Sequence, residues 1–98
     1  MSLPLDFHPV VRGEVGDAYN WYEQRRSGLG RDFLNEVERV LAEISTNSAR
    51  YSFAHGDIRA GLVTRFPYAI YYRVLANRLR ILAVYHVARN PAGWKSRA

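Results

Sequence analysis

The chain has 98 residues and no cysteine, and 48% of its residues are hydrophobic. This length and composition predict a single domain, spanning residues 1–98, with a small packed core, and they exclude a disordered chain, disulfides and thiolate metal sites. His8 and His55 lie far apart, so no metal site is predicted, and no cofactor or small-molecule ligand is expected. No apolar run is long enough to cross a membrane and the N-terminus is unlike a signal peptide, so a cytoplasmic location is expected.

The net charge of +5 is unevenly distributed along the chain. Residues 1–57 carry six arginines and nine acidic residues, which sums to −3, whereas residues 58–98 carry seven arginines, one lysine and no acid, which sums to +8. This asymmetry indicates an anionic partner for the C-terminal part, either a nucleic acid or an acidic protein segment. The alternative is a basic face that only aids solubility.

The N-terminal half predicts a short strand followed by two helices. Apolar and polar residues alternate from Leu3 to Phe7, and Pro4 favours an edge position for this strand. Apolar residues then recur at helical spacing, first at Val11, Val15, Ala18 and Tyr22, and later at Phe33, Val37, Val40, Leu41 and Ile44. Gly28 lies in the short connection between the helices, which makes them antiparallel neighbours.

The C-terminal half predicts strands, because the period of the apolar residues changes from helical to two after a loop over residues 48–57. The three predicted strands span residues 58–66, 68–75 and 79–87. A tight turn at Ala76-Asn77 is predicted between the last two. The tail after Pro91 is expected to form a short helical turn, in which Trp94 anchors the chain end.

The register of this hairpin divides its residues between two faces. A two-residue turn at Ala76-Asn77 places Arg73 opposite Arg80, Tyr72 opposite Ile81 and Tyr71 opposite Leu82. The more apolar face is assigned to the helices and carries Tyr68, Ile70, Tyr72, Val74, Leu79, Ile81 and Ala83. The other face is the candidate working surface and carries Tyr71, Arg73, Arg80, Leu82, Val84 and His86.

The order of the elements and four short motifs resemble the RelE/ParE superfamily of toxins from bacterial type II toxin–antitoxin systems. The motifs are W-Y-E at 21–23, G-L-G-x-x-F at 28–33, F-P-Y-x-I-Y-Y at 66–72 and H-x-x-R-x-P-x-x-W at 86–94. The resemblance implies an α+β fold in which a short N-terminal strand and a helical hairpin pack on an antiparallel sheet of three long strands. It also implies a growth-inhibiting toxin that a cognate antitoxin neutralises. The target is DNA gyrase in the ParE-like, plasmid-stabilisation branch and the ribosome with its messenger RNA in the RelE-like branch.

The resemblance assigns candidate roles to individual residues. In the ribonuclease branch, arginines stabilise the charge that develops on the phosphate and an acid protonates the leaving oxygen, without a metal. These roles fall on Arg65 and Arg89, with His86 as a further candidate. Arginines bind phosphate and aromatic rings stack on bases, so contacts with a partner or a nucleic acid are predicted for Arg59, Tyr71, Arg73, Arg80 and Tyr85.

Three functions remain open from the sequence: a gyrase inhibitor without catalysis, a ribosome-dependent endoribonuclease, and a non-toxic nucleic-acid-binding module. Several ribonucleases of the superfamily carry lysines or a glutamate base in the site. Here the only lysine is Lys95 and no acid follows Asp57. The segment Ile58-Arg59-Ala60-Gly61 also resembles the ParE-like branch. The gyrase inhibitor is therefore expected ahead of the ribonuclease.

Overall fold

One five-stranded sheet, two long helices and a C-terminal helical turn make up the fold, which a computed structural model describes for residues 2–98. In chain order the elements are β1 (Leu5–Phe7), α1 (Val11–Arg25), α2 (Leu29–Thr46), β2 (Phe53–His55), β3 (Ile58–Leu62), β4 (Tyr68–Val74), β5 (Leu79–His86) and α3 (Ala92–Lys95). The sheet order is β1-β5-β4-β3-β2. The predicted α+β class is confirmed. No helix within residues 2–98 is both long and apolar enough to span a membrane.

The junction between α1 and α2 explains the glycines of the second motif. Gly28 has a φ of +89°, a left-handed conformation that glycine adopts without steric cost. A Cβ on Gly30 would lie 2.7 Å from the carbonyl oxygen of Tyr19, so only glycine lets the helices approach this closely. The carboxylate of Glu23 accepts hydrogen bonds of 2.9 Å from the backbone N–H groups of both glycines, which caps the start of α2.

The apolar stripes of α1 and α2 lie on one face of the sheet, which we call the helix face. Of the predicted stripe residues, all are buried except Val15 and Leu41, which are partly buried against the same core. Phe33 packs between Tyr22 and Phe66, with ring centroids 5.3 Å from each. These aromatic rings hold the helical hairpin to the end of the sheet where β4 begins.

A β-bulge in the last hairpin changes the predicted register. Arg73 pairs with Arg80 and Tyr72 with Ile81, as predicted, but Tyr71 pairs with Ala83, so that Leu82 is an extra residue. A bulge moves every following residue of its strand to the opposite face. The predicted faces are therefore wrong for Ala83, which lies away from the helices, and for Val84 and His86, which lie on the helix face.

Two further predictions about the strands are corrected. The segment 48–57 contains the edge strand β2, in which Phe53 pairs with Arg59. The strand that begins at Ile58 ends at Leu62, and the turn that follows returns Phe66 to the core. The three long strands β3, β4 and β5 are antiparallel as predicted, and β1 lies at the sheet edge, where it runs parallel to β5.

The second, smaller core lies on the opposite face of the sheet, where α3 packs. The Trp94 ring is buried there and stacks on Tyr71 with a centroid distance of 3.9 Å and an interplanar angle of 13°. Tyr85 is only 2% exposed, and its hydroxyl donates a 2.6 Å hydrogen bond to the carbonyl of Asn90. The predicted role of Trp94 as an anchor for the tail is confirmed.

Candidate functional site

An open cleft of about 690 Å³ lies between α1 and the adjoining ends of β4 and β5, and we call it the α1 cleft. Its lining residues are Glu14, Asp17, Ala18, Trp21 and Tyr22 from α1, and Pro67, Tyr68, Val84, His86 and Arg89 from the sheet side. Aromatic rings dominate the walls, and charged groups of both signs are present. Clefts of this size with a few converging polar groups are the usual places where proteins bind ligands or partners.

Glu14 is the buried acid of the α1 cleft, with 9% of its side chain exposed. Its Oε1 accepts a 3.1 Å hydrogen bond from the backbone N–H of Val84. Its Oε2 lies 2.9 Å from Arg97 Nη1 and 3.9 Å from Arg89 Nη1, although neither contact is an aligned hydrogen bond. A buried carboxylate needs compensating charge, and the two arginines supply it.

The ion pair between Glu14 and Arg97 also closes the edge of β5. β1 covers this edge only as far as Ile81, whose carbonyl accepts a hydrogen bond from His8. Beyond that point Glu14 accepts from the Val84 N–H, and Arg97 Nη1 donates to the Leu82 carbonyl at 3.2 Å. Two side chains therefore occupy the place of a missing strand, which blocks pairing with another chain.

The walls of the α1 cleft are built around Tyr68. Its ring meets those of His86 and Tyr22 edge-on, with centroids 5.2 Å and 6.2 Å away. Burial raises the pKa of the Tyr68 hydroxyl; the charge of Glu14 raises this pKa further, and Arg89 opposes the shift. Trp21 stands at the outer side of the cleft with 51% of its surface exposed.

His86 is oriented by the turn that follows β5. Its Nδ1 accepts a 3.1 Å hydrogen bond from the backbone N–H of Ala88. The neutral imidazole therefore carries its proton on Nε2, which leaves no free lone pair for a general base.

Within residues 2–98, no group of three or more histidine, aspartate or glutamate side chains is arranged to hold a metal ion.

The three predicted catalytic residues do not all line one site. His86 and Arg89 line the α1 cleft, whereas Arg65 does not. Arg65 lies in the turn between β3 and β4, 58% exposed, with its Nη2 3.8 Å from a carboxylate oxygen of Asp32. It has a φ of +75°, an unusual conformation for a residue with a side chain.

The predicted partner-binding residues do not form one electropositive surface. Arg73 and Arg80 lie opposite one another on adjacent strands, and each contacts an acid at 3.0 Å, Arg73 with Asp57 and Arg80 with Asp6. Arg59 donates to the carbonyl of Tyr51 and stacks over the Phe53 ring. Tyr71 and Tyr85 lie beneath α3. Six of the seven arginines of residues 58–98 thus lie within 3.9 Å of an acid of the N-terminal part, and four acids make all of these contacts.

Glu14 and Asp17 were not predicted as site residues, whereas Trp21, if exposed, was expected to indicate a partner. Glu14 lies three residues after Val11 and four before Ala18, so it falls on the buried stripe of α1. An acid on an apolar stripe was the signal that could have marked it. Asp17 lies beside this stripe and carries no comparable signal.

Comparisons with known proteins bear on the fold. No protein-family model matches the sequence, and no curated protein matches it in sequence. The chain shares its fold with a solved structure. One chain in the solved structure of a chromosomal ParDE toxin–antitoxin system from P. aeruginosa is similar to it, with a TM-score of 0.77 and 12% sequence identity. The match covers 88% of this chain and 97% of that chain.

Proposed function

We propose that this chain is the toxin of a type II toxin–antitoxin system and acts in the ParE-like manner, by binding DNA gyrase. A cognate antitoxin protein neutralises it. The shared fold with a chain of a ParDE system supports this proposal. The fold alone leaves binding and RNA cleavage as competing activities, and the chemistry of the α1 cleft favours binding.

The observation that carries the choice is that the predicted arginines do not converge on the α1 cleft. Cleavage of a phosphodiester without a metal needs cations that converge where the negative charge develops. Only Arg89 among the predicted arginines lines the α1 cleft, and two carboxylates, Glu14 and Asp17, line it as well. Like charge disfavours a phosphate there. Of the remaining predicted arginines, Arg65, Arg73 and Arg80 are paired with acids elsewhere, and Arg59 donates to the carbonyl of Tyr51.

The ribonuclease activity is the second candidate, because His86 and Arg89 lie in one cleft with Glu14. This set contains a carboxylate, an imidazole and a guanidinium, which are the groups such chemistry uses. Two features weigh against it: Glu14 is buried and ion-paired, and Nδ1 of His86 is engaged by Ala88. A non-toxic nucleic-acid-binding module is the least supported function, since few arginines are free to contact phosphate.

Expression of the chain alone in bacteria tests the proposal. We expect growth arrest with induced DNA damage and intact transcripts, and recovery when the antitoxin is expressed in the same cells. Cut transcripts in the arrested cells would favour the ribonuclease. Normal growth at a verified level of folded protein would contradict both toxic activities.

A further inference from the structure

The charges that line the α1 cleft differ in sign from the net charge of the whole chain. The chain carries a net charge of +5, yet the cleft is lined by two carboxylates and one guanidinium. Asp17 is exposed and makes no ion pair with any residue of 2–98. At the Tyr68 hydroxyl, the charges of Glu14 and Asp17 both raise the pKa and only Arg89 lowers it. Because Arg97 and Arg89 already compensate Glu14, the uncompensated charge of the cleft is that of Asp17, which favours a positively charged group.

The aromatic walls add a preference for a planar cation. Trp21, Tyr22 and Tyr68 all line the cleft, and ring faces attract cations, guanidinium most of all because it can also stack. The exposed Trp21 already makes one such contact between a guanidinium and an aromatic ring, because Arg25 Cζ lies 3.8 Å from the centroid of a Trp21 ring. An ammonium group cannot stack in this way.

We propose that the α1 cleft binds an arginine side chain of the protein partner, with Asp17 as the contact for its charge and Trp21 and Tyr68 as its aromatic walls. The partner is the neutralising antitoxin, so this inference rests on the proposed function. The proposal reverses the expectation from composition, which was an acidic partner segment. The acids of such a segment would be repelled by Asp17, whereas an arginine gains both ionic and stacking contacts.

The test is a titration of the uniformly ¹⁵N-labelled full chain, followed by NMR. Its two indole N–H groups report separately on Trp21, at the cleft, and on the buried Trp94 beneath α3. The probes are the amides of N-acetyl-arginine, N-acetyl-norleucine and N-acetyl-glutamate at equal ionic strength. We expect the arginine amide to shift the Trp21 signal and leave Trp94 unchanged, and the norleucine amide to bind about five-fold more weakly.

Two matched variants complete the test. Asp17→Asn removes one exposed charge and is expected to weaken arginine binding about three-fold. Asp57→Asn removes an exposed charge outside the cleft and is expected to leave it unchanged. Equal binding of arginine and norleucine amides, tighter binding of the glutamate amide, or an unaffected Asp17→Asn variant would each overturn the proposal.

The outcome is separable from the growth experiment. Arginine binding by a chain that fails to arrest growth would retain the cleft as a cation site and reject the toxin function. Growth arrest by a chain whose Trp21 signal does not shift with the arginine amide would reject the arginine site and leave the toxin function in place.

Discussion

At the residue scale, Arg65 combines two properties that the sequence could not reveal together. Its position before the Phe-Pro-Tyr motif marked it as a catalytic candidate, but its φ of +75° and its contact with Asp32 place it in a turn outside the α1 cleft. A residue with a Cβ pays about 1 kcal/mol for this conformation. Backbone dihedral angles of a turn depend on the packing at both of its ends, so the local sequence did not predict them.

The Arg65→Gly variant separates the backbone from the side chain. Glycine adopts a positive φ without strain, so the folded state is relieved by about 1 kcal/mol, while the freer unfolded chain offsets much of that gain. We expect the free energy of unfolding to change by less than about 1 kcal/mol and growth inhibition to persist. Urea denaturation and a growth assay measure the two effects. A stable variant that no longer inhibits growth would show that the Arg65 side chain is required for toxicity.

His86 offers a second residue-scale prediction, through the His86→Asn variant. The asparagine carbonyl oxygen takes a position close to that of Nδ1, so it still accepts from the Ala88 N–H while the imidazole is lost. Because the proposed toxin performs no proton transfer, we expect growth inhibition within about two-fold of the parent chain and an unchanged fold. Loss of toxicity together with loss of transcript cleavage would identify His86 as a catalytic residue.

At the element scale, periodicity predicted the helices well and the strand faces only in part. The stripes of α1 and α2 were correct because helix burial follows a 3.6-residue period over four or five turns. The predicted faces of β5 were wrong after Leu82, because a single inserted residue exchanges the two faces of a strand. No residue type in the sequence indicates this bulge. β2 was missed for a related reason: it is three residues long and fully exposed, so it carries no apolar pattern.

The edge of β5 gives an element-scale prediction. Arg97→Met keeps an apolar stem near Tyr85 but removes the charge beside Glu14 and the donor to Leu82. We expect a loss of about 3 kcal/mol in the free energy of unfolding, faster hydrogen exchange at the Val84 amide, and self-association at high concentration. Denaturation, exchange by NMR and size-exclusion chromatography measure these effects.

Lys95→Met is the control for the edge, because it removes an exposed charge from the same C-terminal segment. We expect it to change the free energy of unfolding by less than about 0.5 kcal/mol. Equal behaviour of the two variants would show that Arg97 contributes only surface charge and that Glu14 does not need it.

At the scale of the whole molecule, the charge asymmetry along the chain is partly compensated in space. The acids of the N-terminal part and the arginines of the C-terminal part meet across the fold, as in the pairs of Asp6 with Arg80 and Asp57 with Arg73. Composition can count charges but cannot place them, which is why the sequence predicted a shared basic surface. For the same reason, composition did not predict that carboxylates line the α1 cleft.

Tyrosine burial makes stability depend on pH in the alkaline range. Burial is the main cause of a raised hydroxyl pKa in Tyr22, Tyr51, Tyr68, Tyr71 and Tyr72. Below about pH 10 these groups are protonated in both states, so their contribution is fully present; above it the unfolded chain ionises first, and stability falls as the pH rises. We expect the urea midpoint to decrease between about pH 9 and pH 11. A midpoint that stays constant over this range would show that these hydroxyls are not buried.

The central claim is that the chain arrests growth by binding gyrase, and a supercoiling assay with purified components tests it most directly. We expect the full-length chain to inhibit gyrase in proportion to its concentration, His86→Asn to inhibit equally well, and the cognate antitoxin to restore supercoiling. Full gyrase activity at a large excess of folded chain, with cleavage of messenger RNA on ribosomes by the same preparation, would contradict the account.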